Sequence, residues 1–208
     1  MKQIKPFESL QEALVELDNG GRFYNIFTRA NDGSITASEL AKVAGVIGEK
    51  NRAFVFLKMV LSCLGDDIEQ VYSSLTPDLY NDFQERKPKH YSPTEALERG
   101  VAGENAIVRG VPYLVDDTTK LQGFIMIPII AGNVTTMTMV PIFQQFNVYE
   151  LHDELLNKKF IIAHSIKDNP LPQRLLDVGG ILKELKKKKS DKKATELYLD
   201  SFYYSLLD

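Results

Sequence analysis

A chain of 208 residues, 44% hydrophobic and 25% charged, is long enough to bury a core without disulfide or metal staples. Its formal net charge of −3 argues against a protein that holds nucleic acid by bulk electrostatics, because neutralising phosphates needs a clustered positive surface. The lone cysteine, Cys63, cannot close an internal disulfide, no signal peptide is visible, and no apolar run approaches the ~20 residues of a membrane helix, so a cytoplasmic protein without a membrane partner is expected.

The first predicted helix starts at Ser9-Leu10-Gln11-Glu12, which fits a capping box, carries Leu10, Leu14 and Leu17 at helical spacing, and ends at Gly20-Gly21. A short apolar segment, Phe23 to Phe27, leads into the polar turn Asn31-Asp32-Gly33-Ser34. Thr36-Ala37-Ser38-Glu39 is a second capping box and opens a helix through Leu40, Val43 and Ala44 that stops near Gly45 or Gly48. Further helices are expected from Lys50 to Leu64, with Cys63 packed as a small hydrophobe, from Asp67 to Leu75, and from Pro77 to Glu85. Proline and charge over Arg86 to Pro93 read as a linker, and Ser92 or Thr94 can start a short helix ending before Gly100.

After Gly103 the pattern turns to strands: Ala106 to Val115, Leu121 to Ile130, Val134 to Phe143, Asn147 to Leu151 and Phe160 to His164. The second and third flank Gly132-Asn133, a hairpin turn signal, and Pro128 and Pro141 remove a ladder donor from each arm, so this hairpin must bend or sit at an edge. Met126-Ile127-Pro128-Ile129 and Met139-Val140-Pro141-Ile142 repeat one four-residue pattern across it. The tail from Leu171 is read as helical, with helices over Ile181 to Lys189 and Ala194 to Leu207; Leu199, Phe202, Tyr203 and Leu206 form the docking face of the last.

Ile35 to Val46 resembles the first helix and turn of a helix-turn-helix unit. Ala41 is the small residue that allows close approach, Gly45 makes the turn and Val46 plugs the core. The resemblance covers about thirty residues and specifies no single family. The helix that follows is apolar nearly all round, which describes a buried helix, and leaves Lys50, Arg52 and Lys58 as the main groups that could meet nucleic acid. Thr28 to Glu39 overlays a calcium loop in outline, but Ala30 occupies a ligand position and cannot ligate. His90, His152 and His164 show no zinc spacing. His152 lies among Glu150, Asp153 and Glu154, so it or His164 could work with a nearby carboxylate. The lysine run Lys183 to Lys193 reads as a solvated helix end plus loop, or as a patch for an acidic partner, a membrane surface or nucleic acid.

These observations predict an α+β protein. An N-terminal helical bundle with a helix-turn-helix-like unit spans 1–86, a five-stranded antiparallel sheet or open barrel spans 94–170, and a C-terminal helical tail spans 171–208. No catalytic signature, metal site or cofactor fingerprint is present, so the expected function is a non-catalytic binding or regulatory protein acting through a protein partner or self-association. Phe124, Met126, Met137, Met139 and Phe143 are its candidate contact residues, with room for an apolar ligand if the sheet closes. The alternatives are a DNA-binding regulator using Lys50, Arg52 and Lys58, and a small enzyme using His152 or His164.

Overall fold

The computed structural model describes residues 1–20, 30–115, 124–131, 134–142, 146–153, 158–165, 167, 169–185 and 196–207; the strands at 124–131 and 134–141 are described by their backbone pairing. Among these described residues, six helices and nine strands follow in the order β1 Lys2–Gln3, α1 Leu10–Leu17, α2 Ala37–Ala44, α3 Lys50–Val60, a 3-10 turn at Gly65–Asp67, α4 Ile68–Ser73, α5 Pro77–Glu85, β2 Lys89–Tyr91, α6 Pro93–Arg99, β3 Asn105–Leu114, β4 Phe124–Ala131, β5 Val134–Pro141, β6 Phe146–His152, β7 Lys159–Ser165, β8 Leu176–Leu185 and β9 Glu196–Leu206. The chain is α+β, as its sequence predicts.

Local chemistry sets the helix starts. Ser9 Oγ accepts the Glu12 N–H, and Thr36 and Glu39 form a reciprocal capping box that opens α2. Gly45 ends α2 in the left-handed region at φ 71°, a conformation that costs glycine least. α3 is buried on nearly every side, from Ala53 to Leu57 and again at Met59 and Val60. It stops at Val60, short of the expected Leu64, so Cys63 falls in the following turn and is exposed instead of packed. Pro77 at the first turn of α5 sacrifices no intrahelical bond, and Ser92 with Glu95 repeats the capping box at α6.

All five strands expected between Ala106 and His164 are present within a few residues, but they do not make one antiparallel sheet. β4 and β5 pair with each other as a separate two-stranded sheet, with Met126 opposite Met139 and Pro128 opposite Met137. β3, β6 and β7 join β1, β2, β8 and β9 in a seven-stranded mixed sheet. The pairs β1–β9, β2–β3 and β7–β9 are parallel. The pairings β3–β6–β7–β9–β8–β3 close a ring of five strands, which is not a barrel.

The helical tail expected over 171–208 is corrected: Leu176–Leu185 and Glu196–Leu206 are the strands β8 and β9, paired antiparallel over most of their length. Along β9 burial alternates, with Leu199, Ser201, Tyr203 and Ser205 buried and the residues between them half-buried. Apolar Phe202, Tyr204 and Leu206 occupy the less buried positions, which hides the period of two and produces an accidental helical spacing. In β8, Gly179 and Gly180 would weaken a helix, whereas here they admit close neighbours. Two large clusters of apolar side chains result. One places α1 to α5 against Ile107 and Tyr203 of the sheet, and the other fills the opposite side between Tyr91, Val108, Tyr149, Leu151, Phe160 and Leu182.

Candidate functional site

The capped start of α2, its glycine turn and the Pro-initiated α5 frame an apolar cleft against the first turns of α3. The cleft measures about 280 Å³, and Leu40, Ala41, Ile47, Ala53, Phe54 and Leu79 are among its lining residues. Leu40, Phe54 and Leu79 are buried and form its floor. Val46 is buried as a plug, and the chain then turns at Gly48, φ 72°, leaving its neighbour Ile47 73% exposed at the mouth. A β-branched side chain so exposed beside an apolar hollow is the feature that the sequence reading passed over. The rim holds its charges in pairs: Lys50 donates to Asp82, and Arg52 donates to both carboxylate oxygens of Glu49 at 3.2 Å. Hydrogen bonding from Lys50 holds the Asp82 carboxyl below its ordinary value.

Those pairs also place the residues of the nucleic-acid alternative. Lys50 is engaged with Asp82, and the Arg52 guanidinium lies 4.9 Å from the centre of the Phe202 ring. Lys58 is eight residues further along α3, about 12 Å at helical rise. Burial, and then the neighbouring Lys87, push the Lys58 ammonium below its ordinary value. Lys50 and Arg52 are thus engaged within the chain, and Lys58 is half-buried.

The candidate contact residues Phe124, Met126, Met137 and Met139 are gathered by the β4–β5 hairpin. Met126 faces Met139 across the ladder, Pro128 faces Met137, and Phe124 faces Pro141. Phe143 lies outside the described residues, as do the Gly132-Asn133 turn and the lysines of the basic run from Lys186 to Lys193. Just past the hairpin, Ile142 is fully buried against Val148, Ala163, Leu185 and Tyr198, which anchors its base.

The two histidines of the enzyme alternative are far apart. His152 pairs with Lys159 at one end of the β6–β7 ladder and His164 with Asn147 at the other, five residues or about 17 Å away. His164 is fully buried and stacks on Tyr149. The His152 imidazole reaches the Glu150 carboxylate at 3.3 Å, but Lys159 occupies the same oxygen at 2.6 Å and the Tyr113 ring covers it. Partial burial raises the Glu150 carboxyl, and hydrogen bonds from Lys159 and His152 outweigh this and hold it below its ordinary value. An ion-paired carboxylate of this kind stays charged and is a poor proton donor.

A second hollow, about 350 Å³, opens beside β3 and is lined by His90, Ser92, Glu95, Arg109, Gly110 and Asp153 among others. Desolvation, followed by the nearby Lys58 and Arg109, pushes the His90 imidazole below its ordinary value. Asp177, almost fully buried, accepts both Nε (2.8 Å) and Nη2 (2.9 Å) of Arg109, and this bonding holds the guanidinium above its ordinary value. Among the described residues, no three His, Cys, Asp or Glu side chains gather as a metal site, and no helix is long and apolar enough to cross a membrane. Compared with known families and with curated proteins, the chain matches neither a family model nor a curated sequence.

Proposed function

We propose that this is a non-catalytic binding or regulatory protein that works through protein contacts, and that the cleft between α2, α3 and α5 seats an apolar side chain from a segment of a partner protein. The observation that carries the reading is Ile47, 73% exposed at the mouth of an apolar cleft whose rim charges are already paired. At about 280 Å³ the cleft falls just below the ~300–1,000 Å³ typical of small-molecule sites, a size that suits one or two anchoring side chains.

The β4–β5 hairpin supports a second contact surface. Among the described residues its strands pair only with each other, and a lone two-stranded hairpin is marginally stable in water. Reading of a DNA groove by α3, in the manner of a helix-turn-helix protein, is less favoured because Lys50 and Arg52 are engaged within the chain.

A displayed random-peptide library selected on the protein tests the main reading. Enriched peptides should carry a large apolar residue, and Ala41→Trp, which fills the cleft from its wall, should weaken them at least tenfold while the far-ultraviolet circular dichroism stays native. Peptides that bind wild type and Ala41→Trp equally would refute the cleft as the site.

A further inference from the structure

The ladder of the β4–β5 hairpin runs unbroken from Phe124 opposite Pro141 to Ala131 opposite Val134, and among the described residues neither strand pairs with a third. In an antiparallel ladder, pairs that exchange both N–H···O bonds alternate with pairs whose N–H and C=O groups point outward. Proline has no N–H to exchange, and both prolines fall in the same alternate set: Pro128 faces Met137, and Pro141 faces Phe124. That set is therefore the outward one. It comprises Phe124, Met126, Pro128 and Ile130 on β4, with Thr135, Met137, Met139 and Pro141 on β5. The prolines cost the hairpin none of its own bonds; each removes a donor from an outer edge.

The two edges differ in consequence. β4, the arm that approaches β8 of the larger sheet, carries Pro128 in mid-strand, which breaks its outer row of donors. On β5 the proline is the last residue, so Thr135, Met137 and Met139 present an uninterrupted row of N–H and C=O groups. Such edges are ordinarily guarded by charge, proline or a bulge. Here the register has no shift, and no charged residue lies between Lys120 and Glu150.

We propose that β5 is the self-association edge of the protein, and that it pairs antiparallel with β5 of a second copy about a two-fold axis at Met137. This register matches Thr135 with the second copy's Met139, Met137 with its own equivalent, and Met139 with Thr135, so every outward residue before Pro141 exchanges both of its bonds. A shift of two residues toward the C-terminus brings in Pro141 and loses donors. The product is a four-stranded sheet, β4–β5–β5–β4, which relieves the marginal stability of a lone hairpin. Both of its outer edges carry Pro128, so association closes at the dimer and does not continue into a fibre. The inference rests on the reading of the hairpin as a second contact surface and is independent of the apolar cleft.

Sedimentation equilibrium of the full chain between about 1 μM and about 1 mM tests this. The mass should rise from 23.5 kDa toward twice that value and no further. Met137→Pro removes the central donor of the β5 edge and should weaken the dimer at least tenfold, whereas Met126→Pro, the same change on the β4 edge, should leave it intact. Both put proline where the hairpin makes no bond of its own, and Ala41→Trp, which fills the cleft, should not alter the mass. Met137→Lys, which sets like charges opposite each other across the axis, should weaken the dimer as well. Amide exchange on the same wild-type samples should show protection of Thr135, Met137 and Met139 rising with concentration, with Thr136 and Thr138 protected throughout. A mass that stays at 23.5 kDa over the whole range, equal effects of Met137→Pro and Met126→Pro, or amides of Thr135, Met137 and Met139 that stay unprotected in the dimer would each overturn the proposal.

Discussion

Glu39 shows how one side chain can organise a region. It has no solvent exposure, yet its carboxylate is satisfied: Oε1 accepts the Gly20 N–H at 2.9 Å, and Oε2 accepts both the N–H and the hydroxyl of Thr36 at 2.8 Å. It therefore closes the cap of α2 and ties the chain just after α1 to it, with Lys42 bonded to the carbonyls of Asn19 and Gly20 beside it. The outline of a calcium loop over these residues has this simpler basis, because the glutamate at its last position is spent on backbone donors. Glu39→Gln would set an amide NH2 against N–H groups and should cost about 2 kcal/mol, read as a lower urea midpoint with an unchanged slope. An unaltered midpoint would show that the buried carboxylate is dispensable. The capping box was legible in the sequence because it lies within four residues; the bond to Gly20 was not, since it spans nineteen.

At the scale of elements, the instructive pair is Gly179 and Gly180, where the β8–β9 ladder shifts register. A Cβ on Gly180 would lie 2.2 Å from the Asp200 carbonyl oxygen, a backbone atom that cannot yield. One on Gly179 would lie 2.5 Å from Met59 Sδ and Val55 Cγ1, where the methionine can move aside. Gly180→Ala should therefore destabilise by about 3 kcal/mol and Gly179→Ala by about 1–2 kcal/mol, measured as unfolding free energies. The reverse order would contradict the register described for the ladder. These glycines also show what was hard to read. The helices α1 to α6 and the strands β3 to β7 announced themselves through caps, prolines and β-branched residues, whereas β8 and β9 form by long-range pairing, and apolar residues on the less buried face of β9 imitated a helix. The ring joining β3, β6, β7, β9 and β8 had no local signal at all, and neither did the cleft, whose walls come from three helices.

At the scale of the molecule, the helices and the sheet are held in part by buried tyrosines. Burial pushes the Tyr72 phenol up to about 12, and burial likewise raises Tyr91, Tyr198 and Tyr203. A tyrosine whose folded value lies above its unfolded value of about 10 stabilises fully below pH 10, and this contribution fades as pH rises through the folded value. Stability should accordingly fall between about pH 10 and pH 12, with tyrosinate absorbance rising in step with the loss of near-ultraviolet circular dichroism. Ionisation of all nine tyrosines near pH 10 with the fold intact would contradict this placement. The most direct test of the proposed binding function is an amide and methyl NMR titration of the whole chain with indole, a minimal apolar anchor. The predicted result is saturable shifts confined to Leu40, Ala41, Ile47, Ala53, Phe54 and Leu79 and abolished by Ala41→Trp. Shifts that fail to saturate, or that centre elsewhere and survive Ala41→Trp, would contradict it.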